Sequence, residues 1–143
     1  MVWWGVLGDA MRLPLGVRIL GAWILVFGGS RAIAWACSCA PLPPTDELVG
    51  SAEQVFVGDV VSIGGCGRER AVRFEVTEAF KGVEVGDTVT LTTAADGAGC
   101  GVDFAAADAW LVVSQDGDSA NLCSGTAPSA DAGTLLEEIR ALP

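Results

Sequence analysis

The sequence predicts an all-β fold: a small, partly open β-barrel of five short strands with short flanking helices, stapled by disulfides. Three observations lead there. Short apolar or alternating runs recur between Gly- and Asp-rich turns after residue 53. Gly58 interrupts the first run, where closing a small barrel calls for a bulge or a sharp bend. Five cysteines are spread over a chain that reads as exported, the setting in which small domains are stapled by bridges.

The 143 residues have room for one domain plus a targeting segment. Residues 1–36 read as a signal peptide. Met11 is a second plausible start, followed by Arg12, Arg18 and an apolar run of 11 residues from Ile19 to Gly29. That run matches a signal core and falls short of the roughly 20 residues that span a bilayer, so no transmembrane helix is expected in the mature chain. Ala34 and Ala36 flank Trp35 in an A-x-A pattern that places the cut before Cys37, and Ala32-Ile33-Ala34 offers an earlier one. The expected localisation is extracellular. A lipid-anchored Cys37 at the cell surface and an uncleaved amphiphilic anchor are the alternatives.

Residues 37–143 then form the domain. Pro41, Pro43 and Pro44 hold its start extended. Thr45 is placed to cap a short helix with Asp46 and Glu47 in its first turn, ended by Gly50 and Ser51. Residues 54–63 read as a strand apolar on both faces near its centre. After the turn at Gly64-Gly65-Cys66-Gly67, Val72, Phe74 and Val76 alternate with Arg73, Glu75 and Thr77 in a strand reaching Phe80. Thr88–Thr93 alternates as a third strand, and residues 94–108 form a loop of small residues. Trp110–Ser114 is a fourth strand, and Asp116-Gly117 predicts a hairpin into a fifth near Ser119–Cys123. Pro128 is placed to start a terminal helix whose Leu135, Leu136 and Ile139 form an apolar stripe. Five strands with a bulge glycine point to a barrel of the OB type, and a five- or six-stranded sandwich is the alternative.

Composition removes several functions. Without residues 1–36 the chain keeps 5 basic and 17 acidic residues, a net charge of −12 over 107 residues. That surface repels nucleic acid and offers no polybasic patch to anionic lipid. There is no histidine, which excludes His-based acid–base and nucleophile systems and most zinc-ligand sets. Glu137-Glu138 and the scattered Asp residues read as solvated faces, so the protein is expected not to be an enzyme and to need no cofactor.

The cysteines stand at 37, 39, 66, 100 and 123. Cys37 and Cys39 are too close to pair without strain, so each is expected to bridge to a distant partner. Paired C-x-x-C knuckles for a zinc ribbon are missing, and no helix follows Cys37-Ser38-Cys39 to lower a thiol pKa. An odd count leaves one thiol over, and a lone exported thiol can dimerise the protein.

Cys37-Ser38-Cys39-Ala40-Pro41 directly after a leader resembles the start of the tissue inhibitors of metalloproteinases. Val55-Phe56-Val57-Gly58-Asp59-Val60-Val61, Phe74-Glu75-Val76 with Phe80-Lys81-Gly82, Cys100-Gly101-Val102-Asp103-Phe104 and Leu122-Cys123-Ser124 follow in the matching order. The likeness, shared with the wider netrin-like group of OB-type barrels, covers about residues 37–125. It implies bridges Cys37–Cys100 and Cys39–Cys123, with Cys66 unpaired. It also implies a function: inhibition of a zinc metalloprotease, whose metal is chelated by the free amine and carbonyl of Cys37. Ser38 would enter the substrate pocket, and Cys39, Ala40, Ala98 and Gly99 would touch the enzyme. A netrin-like extracellular binding or adhesion module with no protease target is the alternative. The sequence departs from the inhibitors in lacking the cysteine expected soon after the start, in the unmatched Cys66, and in a Ser38 smaller than the usual threonine.

Overall fold

The computed structural model describes residues 37–143; the expected signal peptide, the start at Met11 and the cut after Ala36 lie outside the described residues. The order of elements is α1 (Thr45–Ser51), β1 (Gln54–Gly64), β2 (Glu69–Lys81), β3 (Thr88–Ala94), β4 (Ala109–Ser114), β5 (Ala127–Pro128) and α2 (Gly133–Arg140). All five strands pair antiparallel in one sheet of order β3-β2-β1-β4-β5, joined by two short helices and two disulfides. The fold is mostly β.

Residue patterning explains which strands are central. β1 and β4 are apolar on both faces. Val55, Val57, Leu111 and Val113 pack with Leu48 and Ala52 of the α1 region and with Leu136 and Ile139 of α2. The alternate residues Phe56, Val60, Trp110 and Val112 pack on the opposite face with Val72, Phe74 and Val76 of β2, and with Val89 and Leu91 of β3. β2 and β3 alternate buried and exposed residues along most of their length, so each covers the core with one face. Four aromatic rings run edge-to-face through the second cluster. Phe56 meets Phe74 at 5.8 Å, Phe74 meets Phe104 at 5.1 Å, and Phe104 meets Trp110 at 4.6 Å.

The β1–β2 ladder is irregular where Gly58 stands. Val57 pairs with Glu78 but Gly58 with Val76, which leaves Thr77 as an extra residue on β2. Its hydroxyl donates to the Val57 carbonyl at 3.2 Å. A Cβ on Gly58 would stand 3.0 Å from both the Glu75 carbonyl oxygen and the Phe56 ring, so any larger residue would have to displace one of them. Beyond the bulge the inward set shifts by one. Ala79 packs where Val76 and Phe74 do, and Phe80 turns to the helix-covered face.

Three details differ from the sequence reading. The fifth strand is Ala127–Pro128, paired with Leu111 and Trp110, and lies beyond Ser119–Cys123. Side chains capture the donors that a ladder through 116–123 would need. Asp116 Oδ1 accepts from the backbone N–H groups of Asp118 and Ser119, and Asn121 Oδ1 accepts from that of Cys123. After Asp116-Gly117 the chain therefore crosses to β3: the N–H of Thr92 donates to the Asp118 carbonyl, and that of Ala120 to the Thr92 carbonyl. Pro128 belongs to β5, and the terminal helix begins at Gly133 with Ala132 as its cap. At α1 the capping position is Pro44, and the Thr45 hydroxyl donates to the Glu138 carboxylate of α2 instead. A second polar tie joins α2 to the sheet, where Arg140 donates through Nε and a terminal nitrogen to the two Glu78 oxygens at 2.8 and 2.6 Å. That guanidinium holds the Glu78 carboxyl below the usual carboxylate range.

Candidate functional site

Cys37–Pro44 has no regular structure and lies along the surface. Two bridges hold it. Cys37 joins Cys100 and Cys39 joins Cys123, each with Cα atoms 5.1 Å apart. The bridges touch: Cys37 Sγ lies 3.7 Å from Cys123 Sγ. Ser38, Cys39 and Ala40 are exposed and Cys37 is half-buried. Ser38 is thus presented between two tethered neighbours.

The receiving loops are built to stay in place. Gly97–Gly99 forms one tight turn. The N–H of Gly99 donates to Asp96 Oδ1 at 2.9 Å, and the N–H of Gly101 donates to the Asp96 carbonyl at 3.0 Å. Cys100 itself adopts a left-handed conformation (φ 59°), an uncommon state for a residue with a Cβ. Any Cβ on Gly101 would run into the Ala94 carbonyl, so glycine alone allows the loop to press against the end of β3. The buried N–H of Val102 then donates to Thr93 Oγ1 at 2.9 Å. Ala98 and Gly99, exposed, immediately precede the bridged Cys100.

The second loop is tied in the same manner. Cys123 sits in the turn Leu122–Ser124, capped by Asn121. Ser124 Oγ donates to the Asn121 carbonyl at 2.9 Å and lies 3.0 Å from Thr126 Oγ1, which accepts from the N–H of Val113 in β4. The N–H of Leu122 donates to the Cys100 carbonyl at 2.9 Å, so the loops that anchor the two bridges are bonded to each other. Upstream, Asp116 accepts from Ser119 through both hydroxyl and amide, from the Asp118 amide and from the Ser114 hydroxyl. These donors, Ser119 foremost, lower its carboxyl from the ordinary 3.8 to about 2.

Two open grooves flank the bridged segment. One of about 570 Å³ is lined by Arg68, Thr92, Asp96, Gly99, Ser119 and Asn121. The other, about 320 Å³, lies along Pro41, Leu42, Leu48, Gln115 and Cys123. Cys66 is an exposed free thiol in the β1–β2 turn, apart from the four bridged cysteines in sequence and bonding. The sulfurs of Cys37, Cys39 and Cys123 lie within 4.8 Å of one another. All three are oxidised in bridges and offer no thiolate, the form a metal needs. No described helix is long and apolar enough to cross a membrane.

The structure thus brings Cys37, Cys39, Cys100 and Cys123 together, with Ser38 and Ala40 on the tethered segment and Ala98 and Gly99 on the loop that meets it. Asp96 and Asn121, which organise the loops, do not stand out in the sequence, and Asp116 stands out there only as a hairpin signal. Their signal was present: each is an Asx residue whose side-chain oxygen accepts from a backbone N–H two or three residues on. The fold and this edge define a small, disulfide-tied β domain that presents a fixed extended segment. The chain matches no protein-family model and no curated protein.

Proposed function

We propose that this protein is an exported, metalloproteinase-inhibitor-like domain of the netrin-like group that blocks a zinc metalloprotease with its mature N-terminus. The observation that carries the reading is the segment Cys37-Ser38-Cys39, clamped at both cysteines with Ser38 exposed between them. Cleavage before Cys37 gives that residue a free α-amino group. An α-amino pKa near 8 leaves a neutral fraction at pH 7, and the charge of the enzyme's metal lowers it further. The amine and the Cys37 carbonyl chelate that metal, Ser38 enters the adjoining pocket, and Cys39, Ala40, Ala98 and Gly99 line the contact. Because the bridges and prolines already restrict the segment, little conformational entropy is lost on binding.

The OB-type barrel belongs to the same reading. Val89 and Leu91 of β3 share a cluster with Trp110 and Val112 of β4, although β2 and β1 lie between them in the sheet. Residues 118–120 also cover part of the free edge of β3. Both features support a sheet curled toward closure.

The test is N-terminal sequencing of the secreted protein together with inhibition assays against a panel of zinc metalloproteases. Cys37 at the mature end and inhibition that disappears when one alanine is added before Cys37 are the expected results. A mature end upstream of Cys37 sinks the mechanism, because the chelating amine would be an amide. Activity indifferent to the added alanine assigns the edge to a binding module instead.

A further inference from the structure

We propose that the two bridges form a thiol relay: a dithiol reductant enters at Cys39, and the bridge of Cys37 then moves from Cys100 to Cys123. The inference rests on the exposure of the cysteines and the placement of their sulfurs, and holds whether or not the edge meets a protease. Among the four bridged cysteines only Cys39 is exposed, while Cys37, Cys100 and Cys123 are half-buried. Access decides which sulfur an external thiolate attacks. The thiolate that leaves in that attack belongs to Cys123, and its sulfur lies in contact with Cys37 Sγ at 3.7 Å.

The steps balance. A small or protein dithiol attacks Cys39 Sγ; a mixed disulfide forms, the Cys39–Cys123 bond breaks, and Cys123 departs as thiolate. The second thiol of the reductant closes its own disulfide and frees Cys39 as a thiol. The Cys123 thiolate attacks Cys37 Sγ, forming Cys37–Cys123, breaking Cys37–Cys100 and releasing Cys100 as thiolate. Two electrons enter, one protein disulfide remains, and it joins a new pair.

Neither pairing is favoured by ring size. The Cys37–Cys100 and Cys37–Cys123 bridges span 63 and 86 residues, and chain entropy separates rings of those lengths by less than about twofold. Reduction therefore does not free the N-terminal segment. It keeps Cys37 tethered but divides it between the Asp96–Gly101 loop and the Leu122–Ser124 turn, and in the shifted molecules the first loop is left unbridged. If the edge is inhibitory, this shift alters it without unfolding the sheet.

The experiment maps the first reduction product of the exported protein. Cys66 is alkylated first, so that its exposed thiol takes no part. One equivalent of dithiothreitol is then added, samples are quenched in acid, new thiols are labelled with N-ethylmaleimide, and the peptides are mapped by mass spectrometry. The expected result is that at least a tenth of the single-bridge protein carries Cys37–Cys123, with label on Cys39 and Cys100. Less than a tenth, or a first product that keeps Cys39–Cys123 intact, overturns the relay. Cys100→Ala provides an independent readout without reductant, since its free Cys37 thiol should divide the remaining bridge between Cys39–Cys123 and Cys37–Cys123. A variant that folds with Cys39–Cys123 alone overturns it equally.

Discussion

The two bridges do not act as separate staples, and their energetic weight can be worked from their positions. They span 63 and 84 residues, lengths that for isolated crosslinks correspond to about 4–5 kcal/mol each through restriction of the unfolded chain. Once one bridge exists, however, the other closes only a short ring. Two residues from Cys37 to Cys39 and twenty-three from Cys100 to Cys123 make a ring of about 25, worth about 3.5 kcal/mol. The path is the same whichever bridge is removed. Replacing Cys37 and Cys100 by serine, or Cys39 and Cys123, should therefore lower stability by the same amount, about 3.5 kcal/mol, despite their different spans. Replacing all four should cost about 8 kcal/mol, most of the stability of a domain this size. Urea titration of the three variants at pH 7 provides the comparison. One pair costing less than about 1 kcal/mol while the other costs more than about 4 would refute the reasoning. The bridges would then act through native contacts at one loop, and not through the shared ring.

Two further outcomes follow from single residues. Gly101→Ala forces a Cβ against the Ala94 carbonyl directly behind Cys100; it should cost about 1–3 kcal/mol and lower the thermal midpoint by about 10 °C, read by calorimetry. Asp116 titrates at about 2 in the fold against an ordinary 3.8, so its contribution is present above about pH 4 and is lost as pH falls toward 2. Wild-type stability should therefore fall more steeply than that of Asp116→Asn across this window, and parallel acid titration curves would contradict the sign.

The strands of the core were legible because burial leaves a period. Val72, Phe74 and Val76 alternate with charged and hydroxyl residues, and the runs at 55–58 and 110–114 are buried on both faces, whereas Val61 and Ile63 at the far end of β1 are exposed. The period fails where a bulge resets it. Nothing in the sequence near Thr77 announces that Phe80 will change faces, because the extra residue is fixed by pairing with Gly58. The misplaced fifth strand has a local cause as well. The Asp116-Gly117 hairpin signal predicts a strand at Ser119–Cys123, yet Asp116 and Asn121 take the amides of Ser119 and Cys123 with their own side chains, and those of Ala120 and Leu122 turn to the Thr92 and Cys100 carbonyls. For the site, the spacing of Cys37 and Cys39 indicated two distant partners but not which ones. Pairing depends on tertiary placement, which five cysteine positions do not encode.

The same distinction separates the order of the edge from the stability of the sheet. Phe74 touches two other rings at the centre of the core, so Phe74→Ala should cost about 3–5 kcal/mol. The loops carrying Cys100 and Cys123 owe their shape to Asp96, Asn121 and Thr93 and make few of those contacts. Asn121→Ala removes a half-exposed acceptor from the Cys123 amide and should cost only about 1 kcal/mol, the ordinary loss for such a capping residue. Its effect should instead appear locally. Amide exchange at Cys123 should accelerate while Val112 and Val113 stay protected, whereas Phe74→Ala should raise exchange across the sheet. Equal protection loss at Cys123 and Val112 in Asn121→Ala would mean that edge and sheet open as one unit. A segment held by loops that open independently of the sheet can be repositioned, by a partner or by a reductant, without loss of the fold that displays it.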